Sequence, residues 1–140
     1  MDEKGRLKIP VNFQQYLISL GGARVFITSL DGATARIYPL PVWMNNLKLL
    51  GEQTETPEDA EDLVFMANDW GAESDIDNQG RVLFPTNLRR ELKLESAAVW
   101  LECYNDAITA YGEAEYESRK QRARERLEEK LSAFKKKGLR

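Results

Sequence analysis

The chain has 140 residues, of which 42% are hydrophobic and 31% charged, and its formal net charge is −3. This is the size and composition of one globular domain with a core, and the single cysteine, Cys103, excludes an intramolecular disulfide and a cysteine-rich zinc site. No apolar run approaches the roughly 18 to 20 residues of a membrane span, and the N-terminus has no signal-peptide pattern, so a cytoplasmic protein without a membrane partner is expected.

The negative charge is concentrated in one part of the chain. Residues 41–79 contain one Lys or Arg against ten Asp or Glu, whereas residues 113–140 contain ten against six. Residues 1–40 carry five Lys or Arg against three Asp or Glu. An acidic total therefore does not argue against a nucleic-acid partner, because other segments can carry a basic face.

Residues 2–10, DEKGRLKIP, predict a tight turn followed by a short strand. Asp2 can accept hydrogen bonds from backbone N–H groups a few residues on, and Gly5 can adopt the positive φ that ends such a turn. Arg6 and Lys8 alternate with apolar residues, which places both on one face of the strand. The proline that follows ends the strand, since it has no N–H for the ladder.

After this strand the pattern predicts a short helix, a strand, a turn, a second strand and a longer helix. Asn12 is a weak candidate for the first helix N-cap. Trp43, followed by Leu47 and Leu50 at helical spacing, indicates packing rather than a ligand platform, as do Trp70 and Trp100. In order, these elements are predicted at residues 13–17, 25–27, 31–32, 35–38 and 43–50.

The segment GEQTETPEDAED at residues 51–62 is an acidic connector. Thr56 as N-cap, Pro57 as first helical residue and the acidic residues after it predict a helix that runs toward Met66. The acidity is interpreted as a solvated linker. Mimicry of DNA, or repulsion of DNA from the wrong face, is the alternative.

Residues 77–85, DNQGRVLFP, repeat the first motif at an offset of 75 positions, with Asp77 and Gly80 in the turn and Arg81 after it. Thr86 is predicted to be the N-cap of the helix that follows. The elements after it also recur in the same order, as helix, strand, turn, strand and an aromatic helix start. They are predicted at residues 88–92, 99–101, 105–106, 108–111 and 116.

The two copies differ in two respects. Residues 69–76 predict a first hairpin strand before copy two, whereas only Met1 precedes Asp2, so the first hairpin is expected to borrow a partner edge or to stay partly disordered. Copy two has Leu83 in place of Lys8. Copy one is therefore expected to be the better phosphate binder.

Residues 113–137 predict one long charged helix with a thin apolar stripe that suits a subunit contact or a shallow groove. The basic residues 135–137 and Arg140 either touch a DNA backbone or favour the negative end of the helix dipole. The stripe consists of Tyr116, Ala123, Leu127, Leu131 and Phe134.

The tandem motifs DEKGRLxIP and DxQGRVxxP, with an acidic linker between them and a charged tail after them, resemble the MraZ family, whose modules are similar to the AbrB-type swapped-hairpin fold. The resemblance covers nearly the whole chain. It implies a bacterial transcription regulator, associated with the nucleoid, that binds promoter repeats of the division and cell-wall gene cluster as a ring-shaped homo-oligomer. The family signature then falls on Asp2, Arg6, Asp77 and Arg81, with the arginines as DNA contacts.

The predicted fold is α+β: two tandem AbrB-like swapped-hairpin modules related by a pseudo-twofold, with short helices and a long C-terminal helix. The predicted divisions are module 1 at residues 1–50 without its first strand, the acidic linker at 51–68, module 2 at 69–112 and the charged helix at 113–140.

Lys4, Arg6 and Lys8 cluster on and beside one turn, and Arg81 follows the other. Arginine can fork onto a phosphate or a guanine edge, while lysine acts as a point charge. Tethered copies would meet spaced repeats on double-stranded DNA together, so avidity would add to a weak single contact. The alternative from the residues alone is that the arginines only pair with the aspartates and hold the turns.

Other function classes are less favoured. The chain has no histidine, and its cysteine has no imidazole to activate it, so no catalytic residue, cofactor or small-molecule substrate is assigned. The acidic connector lacks the spacing of a calcium loop, so no metal site is assigned. A scaffold or antitoxin-like ring that sequesters a protein keeps the same fold, but the basic helical tail disfavours it.

Overall fold

The computed structural model describes residues 1–21 and 23–140. These residues form a five-stranded antiparallel sheet, a separate two-stranded ladder and surrounding helices, which confirms the α+β class. The strands are β1 Arg6–Lys8, β2 Arg24–Thr28, β3 Ala35–Pro39, β4 Ala72–Asp75, β5 Arg81–Leu83, β6 Trp100–Tyr104 and β7 Ala107–Tyr111. The helices are α1 Val11–Ser19, α2 Leu40–Gly51, α3 Pro57–Trp70, α4 Thr86–Glu91, α5 Glu113–Arg124 and α6 Leu127–Lys135.

The two halves of the chain interleave through their strands. The large sheet has the order β4-β2-β3-β7-β6, so the hairpins β2–β3 and β6–β7 meet at its centre, where Arg36 lies opposite Thr109. In the small ladder β1 pairs with β5, and Leu7 lies opposite Val82. The strand that follows each motif therefore pairs with its counterpart in the other half, and so does the second strand of each hairpin.

The two strands on either side of the second turn belong to different sheets. β4, which lies within the strand predicted at residues 69–76, pairs with β2 of the other half, while β5 pairs with β1. One hydrogen bond still joins the two strands, from Leu83 N–H to the Ser74 hydroxyl at 3.1 Å. Before the first turn, the Met1 amine donates to the Ala97 carbonyl at 2.8 Å.

Alternating apolar side chains of the small ladder enter the main core. Leu7 and Ile9 from the first half and Val82 and Phe84 from the second are buried, while the intervening residues face outward. Burial of each such side chain contributes about 1.5–3 kcal/mol, so the ladder is fixed against the core along one whole face.

Helix starts differ in detail from the sequence predictions. Asn12 and Thr86 lie inside α1 and α4, because Pro10 and Pro85 occupy the N-cap positions, and neither proline makes a side-chain capping bond. Thr56 does occupy the N-cap position of α3, as predicted, but its hydroxyl makes no capping bond, and the helix continues past Met66. Pro10, with φ −54° and ψ 147°, and Pro85, with φ −59° and ψ 145°, have the extended backbone that is typical of an N-cap residue.

The single long C-terminal helix that the sequence predicts is two helices in the structure. Glu125 is extended and Arg126 is left-handed, with φ 54°, so α5 and α6 are separated by a sharp turn. The predicted stripe is divided accordingly. Tyr116 stacks on Trp100 with ring centroids 4.9 Å apart, whereas Leu127 and the apolar residues after it belong to α6.

Trp43 packs as predicted. It is 2% exposed and stacks on Phe26, with ring centroids 4.7 Å apart, in a second core cluster beneath α2. No helix among the described residues has the length and hydropathy to cross a membrane.

Candidate nucleic-acid interface

The two turns before the small ladder have the same hydrogen-bond pattern. Asp2 Oδ1 accepts bonds from the N–H groups of Lys4 and Arg6, at 3.0 and 2.8 Å. The amide of Gly5 donates to the Asp2 carbonyl at 3.2 Å, and Gly5 has φ 84°. The Asp2 carboxylate thus accepts hydrogen bonds from backbone N–H groups of the turn. Gly5, which has no Cβ, adopts the left-handed backbone that closes the turn.

The second turn matches the first bond for bond. Asp77 Oδ1 accepts from the N–H groups of Gln79 and Arg81, both at 2.9 Å. The amide of Gly80 donates to the Asp77 carbonyl at 2.9 Å, with φ 75°. Each turn is therefore a rigid platform for the arginine that follows it.

Each aspartate also holds its arginine through the second carboxylate oxygen. Arg6 Nε donates to Asp2 Oδ2 at 2.8 Å, and Arg81 Nε donates to Asp77 Oδ2 at 2.9 Å. The arginine side chains remain 32% and 25% exposed. No acceptor among the described residues takes a hydrogen bond from their terminal Nη atoms. The Nε of each guanidinium is thus held by the turn, and the side chain stays partly open to solvent.

The aspartates are ionised at any physiological pH. The Arg6 backbone N–H holds the pKa of Asp2 below its ordinary value, and the Arg81 backbone N–H does the same for Asp77. Their charges remain in place and keep the arginines oriented.

Strand pairing gathers the cationic side chains on one face. Lys8 lies opposite Arg81 in the ladder, and Arg6 lies opposite Leu83, so these four share the outward face. Leu83 is 52% exposed there. The ladder therefore presents three cations and one leucine to solvent, and Lys4 is exposed beside the first turn.

Lys8 lies by the second turn rather than its own. Its Nζ donates to the Gln79 carbonyl, so the lysine of copy one completes the turn of copy two, which has Leu83 at the equivalent position. Lys8 and Arg81 form one cationic end of the ladder, and Arg6 and Lys4 the other.

Two residues that the sequence analysis did not single out support the turns from behind. Gln14 Nε2 donates to the Ile9 carbonyl at 2.6 Å, and Arg89 Nη1 donates to the Phe84 carbonyl at 2.9 Å. Each is packed so closely on the glycine of the opposite copy's turn that a Cβ at Gly5 or Gly80 would overlap it. The two positions differ by the same 75 residues as the motifs, which is the signal that could have revealed them.

Comparisons with known proteins give the family of this chain. One family profile, described as "MraZ protein, putative antitoxin-like", matches residues 71–137. A protein of Acidobacterium capsulatum named "Transcriptional regulator MraZ" is 36% identical over 99 residues, which cover 71% of this chain and 68% of that protein. The chain belongs to the MraZ family.

Other MraZ relatives show the same extent of similarity. The protein of the same name from Pelotomaculum thermopropionicum is 38% identical over 99 residues, covering 71% of this chain and 66% of its own. The one from Thiobacillus denitrificans is 29% identical over 118 residues, covering 84% of this chain and 79% of its own. The MraZ resemblance seen in the sequence is confirmed.

Proposed function

We propose that this MraZ protein is a DNA-binding transcriptional regulator that binds repeated promoter sites of the division and cell-wall gene cluster as a ring-shaped homo-oligomer. Its site of action is the cytoplasm, on the nucleoid. The relatives named above are called transcriptional regulators. The observation that carries the proposal is the shared outward face of Arg6, Lys8 and Arg81, oriented by two identical turns.

The contacts we assign to DNA follow from this geometry. The Nη ends of Arg6 and Arg81 face a phosphate or the O6 and N7 edge of a guanine, and Lys4 and Lys8 neutralise phosphates nearby. Pairing each Nε with a carboxylate lowers the entropy lost on binding, because the side chain is already oriented. Asp2, Gly5, Asp77 and Gly80 build the turns that present these cations.

We also propose that the halves are two AbrB-like swapped-hairpin modules, at residues 1–50 and 69–112, joined by the linker at 51–68 and followed by the segment 113–140. The pairing of β1 with β5, and of β3 with β7, supports this, because each strand pairs with its counterpart in the other half. Several protomers in a ring would present many such turns, so that weak contacts act together on spaced repeats.

The test is a fluorescence-anisotropy titration with promoter DNA at several salt concentrations. Arg6→Ala or Arg81→Ala is expected to weaken binding by about 10- to 100-fold and to lower the salt slope. Arg24→Ala is the matched control, because Arg24 Nε also pairs with a carboxylate, Glu73, at 2.9 Å, but in the large sheet. It should bind within about twofold of wild type.

The alternative is a protein-sequestering, antitoxin-like ring that does not bind DNA. The exposed apolar side chains of α6 favour it, since they offer a protein surface. Absence of DNA binding at low salt would favour this alternative over the regulator. Equal DNA affinity of the Arg6 and Arg24 variants, in assemblies of the same mass, would overturn the contacts that we assign to Arg6.

A further inference from the structure

Helix α6 has an apolar stripe that faces solvent. Leu127, Leu131 and Phe134 follow one another at spacings of four and three residues, so they lie on one side of the helix. Their exposed fractions are 56%, 44% and 56%, and all residues from 117 to 140 are exposed. Short helices gain most of their stability from packing an apolar face. The described residues of one copy therefore leave this stripe uncovered.

A groove elsewhere on the same chain has the complementary character. It lies between α2 and α3, has a volume of about 470 Å³ and opens to the surface beside Phe65, which is 69% exposed. Its apolar lining comes from Leu47, Leu50, Pro57, Ala60, Val64 and Phe65. An apolar groove between two helices is the shape that receives one face of a third helix.

The charges beside these two surfaces are opposite. Residues 51–62, at the end of the groove, contain six Asp or Glu and no Lys or Arg. Residues 127–140, which include α6, contain five Lys or Arg against two acidic residues, Glu128 and Glu129, and the basic excess lies at residues 135–137 after the stripe. Parallel pairing of two α6 helices would bring these basic ends together, and antiparallel pairing would offer each of them only two glutamates. Docking in the groove sets the basic end against the six carboxylates of residues 51–62.

We propose that α6 of one copy docks in the α2–α3 groove of a second copy. This contact would be the subunit interface of the ring in the proposed function. Its importance for binding promoter repeats rests on that proposed function. The two surfaces differ, so the interface is heterologous, and each added copy leaves one free helix and one free groove. Such a contact closes into a ring when the rotation between copies permits.

The interface is tested by native mass spectrometry and light scattering without DNA. Leu131→Glu alters the helix and Phe65→Glu alters the groove, both at exposed positions. Each variant alone is expected to be monomeric, with association weakened about 30-fold or more. A one-to-one mixture should form a heterodimer and stop there, because one intact helix and one intact groove remain. Ile18→Glu, at an exposed residue of α1, should assemble like wild type.

Far-UV circular dichroism and the thermal midpoint verify that each variant is folded, and Phe134→Glu with Ala60→Glu forms a second pair for the same mixing test. A monomeric wild type, assembly of either variant like wild type, or a mixture that stays monomeric would overturn the interface. Because no DNA is present, assembly as expected with a failed DNA titration rejects the proposed function alone. DNA binding by an assembled wild type, together with variants that assemble like wild type, rejects the interface alone.

Discussion

At the scale of single residues, Asp2 and Asp77 connect turn structure to the candidate interface. One carboxylate oxygen accepts two backbone N–H groups, and the other accepts the Nε of an arginine. Holding the turn and presenting a guanidinium to DNA are therefore compatible roles for the same pair. The sequence allowed two roles for the arginines, pairing with an aspartate or contact with DNA. The pairing uses only Nε, so it leaves the Nη atoms for the DNA contact that we propose.

The two turn glycines should be intolerant of substitution. Gly5→Ala or Gly80→Ala forces a left-handed backbone on a residue with a Cβ and displaces Arg89 or Gln14. We expect the free energy of unfolding to fall by about 1–3 kcal/mol in each variant, measured by urea denaturation. Gly51→Ala is the control, because no atom lies within 4 Å of its Cβ position. Equal stability of the Gly5 and Gly51 variants would contradict the strain argument.

At the scale of elements, helix α3 is attached to the large sheet by a buried hydrogen bond. Thr28 of β2 is fully buried, and its Oγ1 donates to the Ala67 carbonyl of α3 at 2.7 Å. The bond lies where the helix leads into β4, the strand that pairs with β2. It thus fixes the segment that carries the chain into the second turn.

Two substitutions of Thr28 distinguish the contribution of its hydroxyl from that of its side-chain volume. Thr28→Val keeps the shape but leaves the Ala67 carbonyl without its side-chain donor, so we expect a loss of about 1–3 kcal/mol in unfolding free energy. Thr28→Ser keeps the hydroxyl and loses one methyl group, for about 1 kcal/mol. Thermal and urea unfolding measure both. If serine were the more damaging of the two, the hydrogen bond would not be what matters.

At the scale of the whole molecule, the halves share one core. Buried residues of β1, β2 and β3 form a single cluster with residues of β5 and β7. Each half would lose strand partners without the other, because β4 pairs with β2 and β5 pairs with β1. A cooperative unfolding transition follows from this interleaving.

Phe84→Ala tests that cooperativity. The side chain is fully buried in the second half, and its loss should lower the unfolding free energy by about 3–5 kcal/mol. Hydrogen exchange should show the same decrease for amides of β2 in the first half. Leu83→Ala, next to it but 52% exposed, should change stability by less than about 0.5 kcal/mol. Undiminished protection of β2 in the Phe84 variant would mean that the halves unfold independently.

The sequence by itself determined the features that depend on a few neighbouring residues. The turn signals DEKG and DNQG, the alternation of Arg6, Leu7 and Lys8, and the start of α3 at Pro57 are all visible there. Backbone φ preferences and hydrogen bonds within five residues decide such features. The repeat also indicated the family and the α+β class, because the motif and the elements after it recur in the same order at an offset of about 75 positions.

Only the tertiary structure decided which copy of the repeat each side chain or strand contacts. Lys8 completes a turn 71 residues away, Arg89 supports the opposite turn, and β4 joins the sheet of the first half. These outcomes follow from long-range strand pairing and packing, which local residue patterns do not encode, because the pairing partner of each strand lies in the other half of the chain.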